Sequence, residues 1–442
     1  MRQVFFVTSL ALVLYSVAVS QIVLSGPDLR TFQLTPAKLP TPSLKYKLLF
    51  DGIAERIPGN AAVLYIDAIP LMDSDAAPKA DRALDAYKTG DMDTFHSIAD
   101  SFEIAQLLKQ LELAGRREDC NWQTPSREMG GQTLLPHLAP LLTVAKLLKV
   151  RILRQIDQGN TDDAISTLRL GYELADKMSR EPMKISGLVS LRMMELMNDG
   201  LAQLMNRPDS PNFYWELAPF PDRRSAIRID MDGARSWSVY PSPAVAHSAG
   251  QDLSADQWRL KLGGSALENT SQELLHRAQQ QYAESHKGRL SDAEATDDAI
   301  VLGNFYYHEY EVLADEMHKL RGFPYPVLLV LAHRFDEIKS NLNDVQPLNP
   351  FIRGPIELHN VVWRFGYTDR QLAALTAVEA IRSYAADHEF RLPSRLQDII
   401  DTPVPDNPVT GAPFEYALEN EIAIVSDPHS EEPLKYTISI RH

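Results

Sequence analysis

Cysteine is almost absent from this 442-residue chain, whose single thiol belongs to Cys120. An intrachain disulfide is therefore excluded, and the fold must depend on burial of the apolar residues that make up 44% of the sequence. Cys120 lies between predicted helices, and a catalytic thiol needs a base brought to it in space. We interpret Cys120 as a buried structural residue.

Basic residues are also in deficit, with 44 Lys and Arg against 59 Asp and Glu and a formal net charge of −15. A protein that binds nucleic acid needs an extended positive surface to neutralise phosphates. The composition therefore predicts that nucleic acid is not a partner.

The sequence lacks the short motifs of the common active sites. It has no GxSxG, no GxxxxGK[ST], no GxGxxG after a predicted strand and no CxxC pair. No pair of acidic residues has a spacing that indicates acid–base catalysis. We therefore predict no catalytic residues and favour a protein without enzymatic activity.

The N-terminus carries an export sequence. Arg2 and the amino terminus form a short positive region, residues 5–19 are mostly apolar, and Ala18 and Ser20 provide a small-x-small cleavage site. The apolar run continues to Leu24, and about 20 apolar residues can span a bilayer. Two outcomes stay open: a cleaved signal peptide, or an uncleaved inner-membrane anchor in which residues 4–24 contact the membrane. Both predict an exported protein of the periplasm or cell envelope.

Proline content and helical periodicity divide the chain into parts. They are residues 1–25 (signal peptide or membrane anchor), 26–58 (a proline-containing linker), 59–238 (a helical-repeat-like body), 239–345 (a second helical part) and 346–442 (a C-terminal α+β module). The predicted fold class is mainly α, with a small sheet near the C-terminus.

Residues 138–178 form the clearest predicted helical hairpin. Gly159 supplies the backbone freedom to end the first helix, and Thr161 or Asp162 caps the second. A similar turn occurs at residues 90–95. The glycine of the hairpin and the small Ala164 resemble the turn of a tetratricopeptide repeat, so we predict a degenerate helical-repeat body of helical hairpins.

One predicted helix, residues 297–320, carries candidate metal ligands. They are His308, Glu311, Asp315 and His318. Their spacing places all of them on one helix face, where two or three could hold a divalent ion such as zinc with a water in an open position. Apolar residues mark a different face, so the polar stripe also fits a solvated surface. The zinc-protease spelling HExxH is missing.

The C-terminal part reads as a helix followed by strands. Thr368 and Gln371 form a capping box for a helix that ends near Asp387, and Pro393 opens a short helix that runs through Ile400. After Gly411, apolar residues alternate with polar ones in three segments. We predict a helix packed on a small antiparallel sheet.

Residues 369–427 resemble the C-terminal module of type II secretion pseudopilins, in which an LP step precedes a DPxxGxPYxY turn and a strand. The matching residues are Leu392, Pro393, Leu396, Asn407, Pro408, Gly411, Pro413, Phe414 and Tyr416. The resemblance implies a calcium-binding acidic loop at Asp427, Glu431 and Glu432. Pseudopilins join this module directly to a prepilin helix, whereas a long helical region intervenes here.

As a whole, the chain resembles uncharacterised exported bacterial proteins that combine a helical body with this module, and that resemblance implies no activity. We expect a non-enzymatic envelope binding or scaffold protein that has a protein or peptide partner and no cofactor. One alternative is an exported metal-dependent hydrolase that uses the stripe from His308 to His318. Another is an anchored subunit of a secretion or pilus-like assembly.

Overall fold

The computed structural model describes residues 27–50, 54–125, 133–218, 220, 253–262, 267–345, 349, 357–428 and 432–441. The predicted export sequence (residues 1–25) lies outside the described residues. Over the described part the chain is mainly helical, with a small sheet near its C-terminus, and the predicted fold class is confirmed at that level.

A group of helices between residues 61 and 217 forms the helical body. They are α1 (Ala61–Ala68), α2 (Ala76–Thr89), α3 (Met92–Ala99), α4 (Ala105–Gly115), α5 (Leu138–Asp157), α6 (Thr161–Met178), α7 (Lys184–Met205) and α8 (Tyr214–Leu217). Two short parallel strands, β2 (Ile57–Asn60) and β3 (Arg117–Asp119), bracket α1 and α4. The side chain of Asn60 caps α1, because its Oδ1 accepts from the backbone nitrogen of Ala62 at 3.1 Å.

Two helix hairpins of the body end their first helix in the same way. Gly90 follows α2 with a φ of +79°, and Gly159 follows α5 with a φ of +75°. In each turn the next amide reaches back to the last turn of the helix: Asp91 N donates to Ala86 O (2.9 Å) and Asn160 N to Gln155 O (2.8 Å). These are Schellman motifs, in which a left-handed residue satisfies carbonyls at the helix end. The predicted hairpin over residues 138–178 is confirmed.

The long helices α5, α6 and α7 pack into the main core. A Cβ added to Gly171 of α6 would lie 2.0 Å from Sδ of Met197 on α7, so this contact requires a residue without a side chain. Met194 and Met197 are almost fully buried there. They fill the space between the helices, as flexible methionines commonly do.

The second helical part has a small core of its own. Its helices are α9 (Ala255–Leu262), α10 (Gln272–Ser285), α11 (Leu290–Glu294), α12 (Asp298–Leu320) and α13 (Tyr325–Val345). Trp258, Phe305 and Tyr306 belong to a hydrophobic cluster separate from the main one. By contrast, Leu328 and Phe335 of α13 belong to the main cluster. The predicted part 239–345 is thus divided between two cores.

The long helix α14 (Leu358–Asp387) is buried along most of its length and packs against α7, α8 and α13. The prediction that it begins at Thr368 is wrong, because Thr368 lies in the helix interior, fully buried, with its hydroxyl donating to Arg364 O. The cap comes from another helix. The carboxylate of Asp336 on α13 accepts from the amides of Leu358 (2.8 Å) and His359 (2.7 Å), a cap that no local sequence signal reveals.

Buried polar side chains on α14 tie the N-terminal segment to the body. Arg382 is fully buried, and its guanidinium donates to the carbonyl oxygens of Thr35, Ser210 and Pro211. Gln371 donates to Asp28 Oδ2 at 3.1 Å. Because a buried guanidinium is tolerated only when its donors are satisfied, α14 fixes these segments around itself.

The C-terminal sheet contains β4 (Glu415–Glu419), β5 (Ile422–Asp427), β6 (Leu434–Ile440) and β1 (Asp28–Leu34), in the spatial order β1-β6-β5-β4. Strands β4, β5 and β6 are antiparallel as predicted, but β1 pairs with β6 in parallel, so the sheet is mixed. The predicted linker, residues 26–58, therefore supplies a strand. Phe32 and Leu34 of β1 are fully buried, which explains why this segment joins the sheet.

Candidate binding site in the C-terminal module

The residues that match the pseudopilin motif converge in space. Tyr416 at the start of β4 donates its hydroxyl to Pro393 O over 2.6 Å, and this bond joins the LP step to the strand. The predicted short helix after Pro393 is reduced to a 3₁₀ turn, Leu396–Asp398, whose entry is held by Arg395 and Asp398. Burial raises the pKa of Tyr416 well above its usual range, so the phenol stays a donor.

The turn that precedes β4 is rigid because its own side chains and amides are paired. Asn407 Oδ1 accepts from the amide of Val409 (3.0 Å), and Gly411 N donates to Asn407 O (2.8 Å). Gly411 has a φ of +70°, a conformation that favours glycine. Asn407 Nδ2 also donates to Asp427 Oδ2 (2.9 Å), which anchors the turn to β5.

A pocket of about 210 Å³ opens between the 3₁₀ turn and the start of β4. It is lined by Ser394, Arg395, Leu396, Gln397, Phe414 and Tyr416. Leu396 and Phe414 are buried, whereas Ser394, Arg395 and Gln397 are exposed, so the floor is apolar and the rim polar. Sites for whole small molecules usually exceed about 300 Å³. This pocket has room for one aliphatic or aromatic side chain.

Strand β4 forms the edge of the sheet beside this pocket. It pairs with β5 on one side, and no strand lies on its other side within the described residues. Glu415, Ala417, Leu418 and Glu419 are exposed. An exposed edge presents backbone donors and acceptors that an extended chain can pair with.

The acidic residues implied as calcium ligands have other partners in the structure. Asp427 is buried, and its Oδ2 accepts from Arg370 Nη1 (2.8 Å) as well as from Asn407. The backbone oxygen of Glu432 accepts from Arg370 Nη2 (2.7 Å). Arg370 thus contacts two of the three residues that the resemblance implies as calcium ligands. Glu431 lies outside the described residues.

The candidate zinc ligands of α12 share one face, as their spacing predicts. His308, Glu311 and Asp315 are exposed, and His318 is half-buried. Within the described residues, no three His, Cys, Asp or Glu side chains come together so that they could hold a metal ion. A site on α12 therefore requires a rearrangement or a ligand from elsewhere.

A buried cluster that the sequence did not reveal surrounds Glu181, between α6 and α7. Its carboxylate accepts from the hydroxyls of Thr124 and Ser186 and lies 3.1 Å from His137 Nε2. Ser186 and His137 both reach the same oxygen, Oε2, so the imidazole does not lie between hydroxyl and carboxylate as a proton relay requires. Ser186 is also fully buried. Through these contacts, Glu181 holds the segment that precedes α5 against the turn between α6 and α7.

Cys120 is half-buried near this cluster. Burial raises the pKa of its thiol to about 12, so the reactive thiolate does not form at neutral pH. The sequence-based interpretation of Cys120 as a buried residue is corrected to a half-buried one.

The motif residues mark the LP step and the turn, but not the pocket between them. No sequence pattern marks the rim residues of the pocket, which are Ser394, Arg395 and Gln397. They line a pocket only because Tyr416 of β4 approaches Pro393 in the folded protein.

Comparison of the chain with protein-family models, curated proteins and solved structures found no match. What defines the class of protein is therefore the fold itself, a mainly helical protein with a small C-terminal sheet. In the described part of the chain, no helix combines the length and the hydropathy that crossing a bilayer demands.

Proposed function

We propose that this protein is a non-enzymatic binding or scaffold protein of the bacterial envelope, and that its C-terminal module holds an extended segment of a partner protein. One observation carries the proposal: a pocket with an apolar floor and a polar rim opens directly beside a sheet edge. Strand addition of this kind obtains affinity from main-chain hydrogen bonds and specificity from pockets for alternate side chains.

The rigidity of the pocket walls supports this role. The wall at β4 is joined to the LP step by the bond from Tyr416 to Pro393, and the turn before β4 is anchored through Asn407 to Asp427. A preformed site loses less conformational entropy when it binds a flexible chain. The motif residues thus act as the frame of the pocket.

The helical body supports a scaffold of the tetratricopeptide-like kind. The turns at Gly90 and Gly159 share the same Schellman hydrogen bonds, and α5 packs against both helices of the preceding hairpin, α2 and α3. Side-by-side stacking of helix hairpins is the building principle of such arrays. In this proposal the helical body holds the C-terminal module in a position to bind its partner. The predicted export sequence brings the protein to the envelope.

Selection from a random peptide library displayed on phage tests the function. We expect enriched peptides that bind the wild-type protein and lose binding to Ser394→Trp, since an indole at this exposed rim position fills the pocket without touching the core. The matched control is Gln106→Trp on the exposed side of α4, which should leave binding unchanged. Enriched peptides that bind both variants equally would overturn the proposal.

A further inference from the structure

The two faces of β4 differ in chemistry. Tyr416 and Leu418 lie opposite Val425 and Ala423 of β5, which are fully buried, so they belong to the inner face of the sheet. Glu415 and Glu419 lie opposite Ser426 and Ile422, on the outer face. The pocket is on the inner side, because Tyr416 lines it.

A chain added to β4 would place its side chains alternately on these two faces. Those on the inner face approach the pocket and Leu418. Those on the outer face meet the carboxylates of Glu415 and Glu419. The outer face of β4 carries Glu415, Ala417 and Glu419. The strand therefore favours a cation opposite each of the two glutamates and an apolar residue opposite Tyr416, which lies between them.

A second copy of this chain fits the edge poorly. When two β4 strands pair antiparallel over their full length, Glu415 of one lies opposite Glu419 of the other, and this happens twice. Like charges directly opposite each other destabilise a strand pair, and charges on edge strands protect natural sheets from self-association. The same carboxylates attract a partner of opposite charge.

We propose that the partner segment at the β4 edge is basic and extended, with lysine or arginine opposite Glu415 and Glu419 and, between these two positions, an aliphatic or aromatic side chain that enters the pocket. This inference rests on the proposed function and names the partner's chemistry. The net charge of −15 strengthens the attraction of a basic segment at a distance. The arrangement of basic and apolar side chains along that segment supplies the selectivity.

The test uses synthetic peptides and the full-length protein in isothermal titration calorimetry. The probe is an acetylated octapeptide of alternating lysine and valine, and we expect it to bind. A peptide with glutamate in place of each lysine should not bind. A third peptide, with N-methyl groups on the alternate amides that face β4, should lose binding because strand pairing needs those donors.

Charge reversal at the site completes the test. The double variant Glu415→Lys with Glu419→Lys should weaken binding of the lysine–valine peptide by about tenfold or more. The single variant Glu419→Lys should show part of this loss, and it replaces the double variant in the test if the latter folds poorly. Asp67→Lys with Asp85→Lys is the control, since it makes the same change in net charge at two exposed positions on α1 and α2. Equal weakening in the control would overturn the proposed site.

The outcomes separate the two proposals. Binding of the glutamate peptide as tightly as the lysine peptide, with both blocked by Ser394→Trp, would overturn the basic partner and leave the binding function standing. Unchanged binding of the N-methylated peptide would overturn strand addition. If no peptide of any composition binds in a manner sensitive to Ser394→Trp, both the inference and the proposed function fail.

Discussion

The guanidinium of Arg370 donates to the carboxylate of Asp427 over 2.8 Å, with both side chains buried between α14 and the C-terminal sheet. Arg370 also donates to Glu432 O, and Asp427 also accepts from Asn407. The pair therefore joins α14, the end of β5 and the turn that frames the pocket. Its loss would affect both the stability of the module and the geometry of the site.

Removal of one member of this pair should be costly. We expect Arg370→Met to lower the free energy of unfolding by about 3–5 kcal/mol, because it leaves the buried Asp427 carboxylate without its cation. The double variant Arg370→Met with Asp427→Asn should recover part of the loss. Urea denaturation of wild type, single and double variants measures this. A single variant as stable as the wild type would show that the pair does not hold the module.

The cap that Asp336 provides for α14 gives a second prediction. Asp336→Ala should destabilise the protein by about 1–2 kcal/mol, because the amides of Leu358 and His359 lose their acceptor at a helix N-terminus. Asp336→Asn keeps one acceptor oxygen and should lose less. The measurement is urea unfolding at neutral pH, and equal losses for Ala and Asn would argue against capping as the cause.

These two contacts also show which parts of the fold the sequence could reveal. Apolar periodicity predicts the hairpin over residues 138–178, and a local glycine signal predicts its turn at Gly159. The start of α14 has no signal in its own sequence, because its cap comes from a different helix. Strand β1 was missed because its partner, β6, lies some 400 residues along the chain, and local pattern does not encode such a pairing. The pocket depends on tertiary contacts in the same way.

Glu379 on α14 should make stability depend on pH. It is fully buried, and burial raises the pKa of its carboxyl group from 4.5 to about 7 despite the nearby Arg382. A carboxyl group whose pKa is higher in the folded state stabilises that state at low pH, and this contribution is lost as the pH rises through about 7. The size of the effect is about 3 kcal/mol.

The Glu379→Gln variant isolates this effect. The free energy of unfolding of the wild type should fall more steeply than that of the variant between pH of about 5 and about 8. The comparison uses the difference between the two slopes, because other groups, including Glu216 with a pKa raised to about 7 by burial, titrate in both proteins. Parallel slopes would contradict a protonated Glu379 in the folded protein.

The close contact of α9 and α12 gives a packing prediction. A Cβ at Gly303 would lie 2.2 Å from the indole of Trp258, so Gly303→Ala should destabilise the small second core by about 1–3 kcal/mol. Gly322→Ala, where nothing lies within 4 Å of the added carbon, should be nearly neutral. Urea unfolding followed by tryptophan fluorescence compares the two variants, and similar midpoints would contradict the packing.

The zinc content of the purified protein tests the hypothesis that it is a metal-dependent hydrolase. A binding protein of the proposed kind should be purified without stoichiometric zinc, because the stripe on α12 is largely exposed and no three ligands converge in the described residues. The double variant His308→Ala with His318→Ala should have the same zinc content as the wild type. Stoichiometric zinc that disappears in this variant would contradict a scaffold-only function.

Amide hydrogen exchange with and without the alternating lysine–valine peptide tests the central claim most directly. If an extended basic segment adds to the sheet, the backbone amides of residues 415–419 should exchange more slowly in the complex, together with those of residues 394–397 around the pocket. Protection confined to other surfaces, with residues 415–419 exchanging as fast as in the free protein, would contradict the β4 edge as the binding site.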